Sequence, residues 1–267
     1  MKRPSQIYMV RPDHFRVAYA INSHMDLSNQ VDKGLALKQW SQIKEIYSNL
    51  GYEVIVQGDR VDLPDMVFCA NTIMTFPGNK KLYSKMRHPE RVHEVDLTKD
   101  LFGEGGQSSI GFEAMGDLLI DYDSEKFFGG YGFRTDDAVY DAIEKDFGFK
   151  VQKLKLVDER FYHLDTCLSI IDGETAIYFP EAFDDKGLQV LKQSFQNLIS
   201  VSEYEAEKYL ACNAFSPDGK HVLVEAGATM LIEKLSAAGF EVISVDTSEF
   251  LKAGGSIFCM KNFGWFR

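Results

Sequence analysis

The residues with chemical capacity fall in a few short stretches, the densest being Phe161-Tyr162-His163-Leu164-Asp165-Thr166-Cys167. In an extended segment residues two apart face the same side, so His163 and Asp165 would share one pocket, buried by the apolar residues around them. An imidazole titrates near neutral pH, and with a carboxylate beside it forms a pair suited to proton transfer. The same pattern also fits a core histidine bonded to a neighbour. Cys259 follows Ala253-Gly254-Gly255-Ser256-Ile257-Phe258. A glycine pair lets backbone approach a substrate closely, and a thiol just beyond it has room to attack. The alternative is the usual fate of a free cysteine, a small buried hydrophobe.

Phe112-Glu113-Ala114-Met115-Gly116-Asp117 sets two carboxylates beside a glycine, just ahead of the strand-like Leu118-Leu119-Ile120. Glu113 could hold His163 in one orientation, completing a nucleophile, base and orienter set, while Asp117 suits a surface turn equally well. Leu63 to Asn71 begins as a turn and reads as a buried strand, which would put Asp65 and Asn71 on one face. There Asp65 could grip a cation or cap the turn. Arg91 and Arg134 could each clamp a carboxylate with two parallel hydrogen bonds, although surface arginines are common. Gly129-Gly130-Tyr131-Gly132 lacks both a phosphate-loop lysine and the spacing of a dinucleotide fingerprint.

The 267 residues are 45% apolar and 26% charged, which suits an ordinary soluble core and excludes a disordered chain. A net charge of −11 disfavours nucleic acids and anionic membranes as partners and is compatible with a small cationic substrate. Cys69, Cys167, Cys212 and Cys259 are widely separated and have no histidine at zinc spacing, so neither a metal site nor a disulfide framework is expected. With no apolar leader and no membrane-length apolar run, the expected compartment is a reducing cytoplasm.

Periodicity supplies the frame. Ala36, Trp40, Ile43, Tyr47 and Leu50 make one helical stripe ending at Gly51, and Tyr52-Glu53-Val54-Ile55-Val56 follows as a strand. The pattern returns with Val139, Ile143 and Phe147 before Gly148, and with Leu231 and Leu235 before Gly239. Leu188, Leu191, Phe195 and Leu198 predict a further helix, capped by Asn197. The caps recur at roughly 48-residue intervals, with a degenerate copy expected near Leu101-Phe102-Gly103. Paired-strand signals precede several helices, as in Leu168 to Ile171, turn Asp172-Gly173, then Thr175 to Tyr178; Pro217-Asp218-Gly219 before His221 to Val224 repeats it. Five strand-turn-strand-helix-strand units would close into a ring whose centre gathers distant residues.

Taken in order, these pieces resemble the guanidine-modifying superfamily of arginine deiminases, dimethylarginine dimethylaminohydrolases, amidinotransferases and arginine dihydrolases. The carriers are Arg11-Pro12-Asp13-His14-Phe15, Ile21-Asn22, Pro64-Asp65-Met66-Val67-Phe68, Ala70-Asn71, Arg87-His88-Pro89-Glu90-Arg91, Phe112-Glu113 with Gly116-Asp117, Gly130-Tyr131-Gly132-Phe133-Arg134, His163-Leu164-Asp165 and Gly254-Gly255-Ser256 before Cys259. The resemblance implies a single α/β domain over residues 1–267, a five-bladed propeller of ββαβ units with a central active site. It implies Cys259 as nucleophile, His163 as general acid and base, and Glu113 as its orienter. Asp65 and Asp165 would bind a guanidinium, Arg91 and Arg134 the substrate's α-carboxylate, with Asn22 and Asn71 completing the substrate contacts. No metal or other cofactor is implied. The partner is a small molecule, arginine or a methylated arginine, and there is room for homo-oligomers. Ala70-Asn71 looks like the arginine dihydrolase branch, which converts arginine to ornithine, ammonia and carbon dioxide, because an amide could also hold a neutral ureido intermediate. Dimethylargininase, deiminase, amidinotransferase and a non-catalytic propeller are the alternatives. Ala114-Met115 replaces the family's glycine-rich spacing.

Overall fold

The computed structural model describes residues 1–266. The chain opens with β1 (Gln6–Arg11), followed by helix α1 (Lys33–Asn49) and strand β2 (Glu53–Gly58). The side chain of Asp32 accepts the Leu35 N–H and starts α1; such a cap contributes about 1 kcal/mol. The expected stripe is buried through Ala36, Trp40, Ile43 and Tyr47. Gly51, at φ 89°, then turns the chain into β2, which pairs parallel to β1. A parallel pair needs a crossover, and the helix supplies it.

The same unit recurs. β3 (Ile73–Phe76) and β4 (Lys80–Tyr83) form a hairpin, and α2 (Val92–Phe102) leads to the short β5 (Gly106–Gln107), with Gly103 at the expected degenerate cap. β6 (Leu118–Asp121), β7 (Lys126–Tyr131), α3 (Ala138–Phe147) and β8 (Val151–Lys155) make the next unit, and Gly148 ends α3 in the left-handed conformation. β9 (Leu168–Ile170), β10 (Thr175–Tyr178), α4 (Asp185–Ser194) and β11 (Asn197–Ser200) make another. After α5 (Glu203–Tyr209), the last unit has only a bridge between Phe215 and Leu223 where its first strand would be. It continues through β12 (His221–Glu225), α6 (Thr229–Ala237) and β13 (Glu241–Val245). After the one-turn α7 (Ser248–Leu251), β14 (Asn262–Gly264) pairs antiparallel with β1. The chain's last strand thus completes its first sheet, giving the five-unit α/β propeller.

Just before the inner edge of each unit the chain makes one tight turn, closed by a backbone N–H bonded to the carbonyl three residues earlier. The pairs are Asn71 to Phe68, Gly116 to Glu113, Thr166 to His163, Asn213 to Leu210 and Lys261 to Phe258. Neighbouring turns are also bonded to one another around the ring. Ala70 N–H meets Cys259 O at 3.2 Å, Leu164 N–H meets Asp117 Oδ1 at 3.0 Å, and Phe258 N–H meets Asn213 O at 3.0 Å. Asn71 Nδ2 reaches Glu113 O at 3.5 Å, and Asn213 Nδ2 reaches Asp165 O at 2.9 Å, which closes the circle.

Three expectations change. The heptapeptide is not extended: Leu164–Thr166 is a 3-10 turn in which both Thr166 N–H and Thr166 Oγ1 donate to His163 O. Likewise Asp65 to Asn71 is not a strand; it runs through successive turns, with Phe68 N–H bonded to Asp65 O and Cys69–Asn71 forming 3-10 structure. In neither stretch is the backbone paired with another strand. The stripe through Phe195 and Leu198 does not stay helical either. α4 ends at Ser194, Phe195 is extended and stacks on Phe128 at 5.2 Å, and Asn197 opens β11 instead of capping a helix. The open edge of β10 captures that segment.

The glycine string at Gly129 to Gly132 serves packing. A Cβ on Gly129 would lie 2.6 Å from the Tyr140 ring, and one on Gly130 would lie 2.6 Å from Leu164 Cβ. Gly129→Ala should therefore cost about 1–3 kcal/mol through overpacking. Equilibrium urea unfolding should show a lower midpoint at an unchanged slope, and an unchanged midpoint would contradict this reading.

Candidate active site

The turns aim their side chains at a cavity of about 280 Å³ lined by Asn22, Asp65, Asn71, Arg91, Arg134, Tyr162, His163, Gly254 and Cys259, with Ile21, Met25, Phe68 and Ala253 as apolar walls. Asp165 stands behind Cys259, its Oδ2 3.3 Å from Sγ. Asn22, Asp65, Asn71, Arg91, Arg134, His163 and Cys259 line this centre, and Glu113 and Asp165 lie directly against His163 and Cys259. The 3-10 turn at Leu164–Thr166 sets His163 on the cavity and Asp165 behind Cys259. Gly116 is required for the approach, since a Cβ there would overlap Asn71 Nδ2.

His163 Nε2 lies 2.6 Å from Glu113 Oε2, and Glu113 Oε1 accepts the Arg87 N–H at 2.9 Å. This fixes the ring and leaves Nδ1 for the cavity. Arg134 is buried, with Nη1 3.7 Å from Glu113 Oε2, Nη2 donating to Ile21 O, and its guanidinium 4.5 Å from the Tyr162 ring centroid. Tyr162 in turn donates to Gly254 O at 2.7 Å. Arg91 is more heavily engaged: Nε and Nη2 hold Glu94, Nη1 donates to Asn71 Oδ1 at 3.1 Å, and Nη2 also reaches Phe68 O. Asn22 donates to Ala253 O and accepts the His24 N–H, so it ties its loop to the glycine pair.

Burial dominates the electrostatics. It pushes Asp65 up, against the pull of Arg91, and pushes Asp165 up to about 7, opposed by its bond to Cys259 and by Lys261. Asp65 Oδ1 and Asp165 Oδ1 are both buried without a hydrogen-bond partner among the described residues. The buried Tyr19 hydroxyl is near enough to favour Asp65 ionisation but does not close a bond of normal geometry. Burial also raises Glu113, but the hydrogen bond and charge of His163, with Arg134 and Arg91 behind it, outweigh that and hold its carboxyl well below the usual range. The Cys259 thiol is pushed well above its ordinary value by burial and by Asp165. Both favour the neutral thiol.

Three further participants had been missed or left undecided. Asp117 is buried rather than in a surface turn, accepts from Thr135 Oγ1 at 2.7 Å and Leu164 N–H at 3.0 Å, and lies 4.0 Å from His163 Nε2. Asn213 occupies the same turn position as Asn71, a correspondence visible once the turns are superposed, and its Nδ2 lies 3.2 Å from Cys259 Sγ. Lys261 is wholly buried beneath the site, without a hydrogen-bond acceptor among the described residues, 3.1 Å from the Phe258 ring centroid. No sequence signal sets it apart from a surface lysine.

A five-unit propeller with this centre is the architecture of the guanidine-modifying hydrolases. The family model for eukaryotic N,N dimethylarginine dimethylhydrolase matches residues 11–262, and the chain belongs to that family. Its enzyme class is accordingly hydrolysis of guanidino C–N bonds. The N(G),N(G)-dimethylarginine dimethylaminohydrolase of Mycobacterium tuberculosis is 37% identical over 96% of this chain and 85% of its own length. The bifunctional arginine dihydrolase/ornithine cyclodeaminase ArgZ of Synechocystis is 33% identical over 96% of this chain and 37% of its own. The solved N-terminal domain of ArgZ, bound to product, superposes with a TM-score of 0.90 at 32% identity, covering 97% of this chain and 96% of that domain. A variant of that domain has also been solved covalently bound to a reaction intermediate.

Asp117 gives a pH test. Burial raises its pKa from 3.8 to about 7. Between those values the folded protein keeps a proton that the unfolded chain has lost, so stability falls as pH rises through that window. Asp117→Asn cannot ionise. Its stability should gain on the parent's from about pH 4 to about pH 7, and the gain should then level off. Urea unfolding of both proteins across that range checks this, and a pH-independent difference would contradict it.

Proposed function

We propose that the protein hydrolyses the guanidinium group of free L-arginine as an arginine dihydrolase. The observation that carries the guanidinium reading is the pair of buried, partnerless oxygens, Asp65 Oδ1 and Asp165 Oδ1. An unpaired buried acceptor is costly, and a planar cation bringing N–H groups to both would satisfy them. Asp165 also touches the thiol, so a guanidinium held there would place its central carbon close to Sγ.

In this mechanism the arriving cation favours the thiolate electrostatically. His163 takes the thiol proton at Nδ1, Sγ bonds to the guanidinium carbon, and His163 returns the proton to the departing nitrogen, which leaves as ammonia. Glu113 holds the imidazole and stabilises its cationic form. Water deprotonated by His163 then adds to the thiouronium, and the C–S bond breaks to give citrulline. A second attack on the ureido carbon expels another ammonia. Hydrolysis of the resulting thiocarbamate gives a carbamate, which divides into ornithine and carbon dioxide. Arg134 and Asn22 face the α-carboxylate end of the cavity. Arg91, held by Glu94, fixes Asn71 Oδ1 and so turns the Asn71 amide N–H groups toward the turn bearing Glu113. An amide beside the reacting group can serve a neutral ureido as well as a cation, which favours the dihydrolase branch.

The second reading is a dimethylargininase, supported by the family model and the mycobacterial relative. Dimethylamine would then leave in place of ammonia and the reaction would stop at citrulline. Mass spectrometry of products from L-arginine and from dimethylarginine, beside Cys259→Ser, separates the two. The expected outcome is ornithine with about two ammonia per arginine, none of it formed by Cys259→Ser, and citrulline accumulating in Asn71→Asp. Citrulline as the parent's end product would overturn the dihydrolase reading, and dimethylamine release would establish the second.

A further inference from the structure

We infer that Asn213 is a further catalytic residue, whose side-chain amide donates a hydrogen bond to the sulfur of Cys259 and stabilises it as the thiolate. The inference rests on Cys259 being the nucleophile. Asn213 uses its whole side chain at this point. Oδ1 accepts the Ser256 N–H at 3.1 Å and the Cys259 N–H at 3.2 Å. Nδ2 donates to Asp165 O at 2.9 Å and to Cys259 Sγ at 3.2 Å. These partners fix which way the amide faces. Rotating it by half a turn would set NH₂ against two backbone N–H groups and an oxygen against a carbonyl, so the donor end must face the sulfur.

The amide has a distinct task there. In the empty site Sγ donates to Asp165 Oδ2, and burial together with that carboxylate makes ionisation costly. A neutral donor lowers the cost of the thiolate without bringing a cation that would repel a guanidinium. Its other end also holds the nucleophile's backbone N–H, so position and ionisation are set by one residue 46 positions away in the chain. Arg91 donates to Asn71 Oδ1, Arg134 to Ile21 O, and His163 Nε2 is paired with Glu113. Among the described residues the Asn213 amide is the side-chain donor to this sulfur, acting beside the Ser256 backbone.

The test separates donor from acceptor. Asn213→Asp keeps oxygens for the Ser256 and Cys259 N–H groups but sets an oxygen against Asp165 O and brings a carboxyl beside the sulfur. Asn213→Ala loses both functions. Alkylation of Cys259 by iodoacetamide, in which S–C forms as C–I breaks and the thiol proton passes to solvent, is followed from pH 6 to 10 without substrate and mapped by peptide mass spectrometry. All four cysteines are free and buried, and of them only Cys259 lines the cavity. A hydrogen bond to a charged acceptor is worth roughly 10- to 100-fold. Asn213→Ala, which brings no charge, should therefore lower the Cys259 alkylation rate by about that factor at each pH and lose about the same factor in kcat, with KM for arginine little changed. Asn213→Ala should also have a lower Tm, and Asn213→Asp should lose at least as much alkylation rate, because its carboxyl adds charge to the missing donor. Alkylation at the parent's rate in either variant while folded would reduce Asn213 to a structural role and overturn the inference. Alkylation of Cys259 that leaves turnover intact would overturn the nucleophile reading, and the inference with it.

Discussion

Five tight turns, hydrogen-bonded to one another around the axis of the ring, are the constraint on which the rest depends. Each turn comes from a different unit, so no local segment could hold the geometry alone. The ring closes only when β14 joins β1 and brings Cys259 beside Ala70 and Asn213. Helices and hairpins supply the framework, but the cross-links between turns decide where each functional atom lies. Ala114 shows the tension at the centre: it stands at φ 46°, a conformation that costs a residue with a side chain about 1–2 kcal/mol.

The centre withdraws ionisable groups from water, and their balance prepares the site for a cation. Glu113 is ionised against His163 and the arginines, and Arg91 is matched by Glu94. Asp65, Asp117 and Asp165 carry the burden of burial, with their pKa values raised. Asp117 is satisfied by neutral donors. Asp65 Oδ1 and Asp165 Oδ1 each lack a hydrogen-bond donor of normal geometry among the described residues. A guanidinium relieves both, and its charge also favours ionisation of the thiol that attacks it. Binding and activation of the nucleophile are thus coupled electrostatically.

Periodic features were legible in the sequence and convergent ones were only partly so. Helix stripes ending at Gly51, Gly148 and Gly239 have local causes, and the roughly 48-residue recurrence follows from them. Phe195 and Leu198 extend a helical stripe only by coincidence of spacing, because a short apolar run does not distinguish a helix end from a strand and the free edge of β10 decides. His163 and Asp165 are presented by a tight turn rather than a strand, which sets His163 on the cavity and Asp165 against Cys259. Asp117 was undecided because its burial depends on Thr135 and Leu164 from outside its own turn. Asn213 and Lys261 have meaning only through contacts made when the ring closes; superposing the turns would have exposed Asn213, whereas nothing local marks Lys261.

The central claim is that two buried carboxylates receive a guanidinium directly over the nucleophile, and the most direct measurement is a crystal structure of Cys259→Ser with L-arginine bound. The predicted result is a guanidinium plane spanning Asp65 Oδ1 and Asp165 Oδ1, its central carbon facing the substituted side chain and its α-carboxylate toward Arg134. Arginine bound in the reverse sense, or with its guanidinium outside this pair of carboxylates, would contradict it.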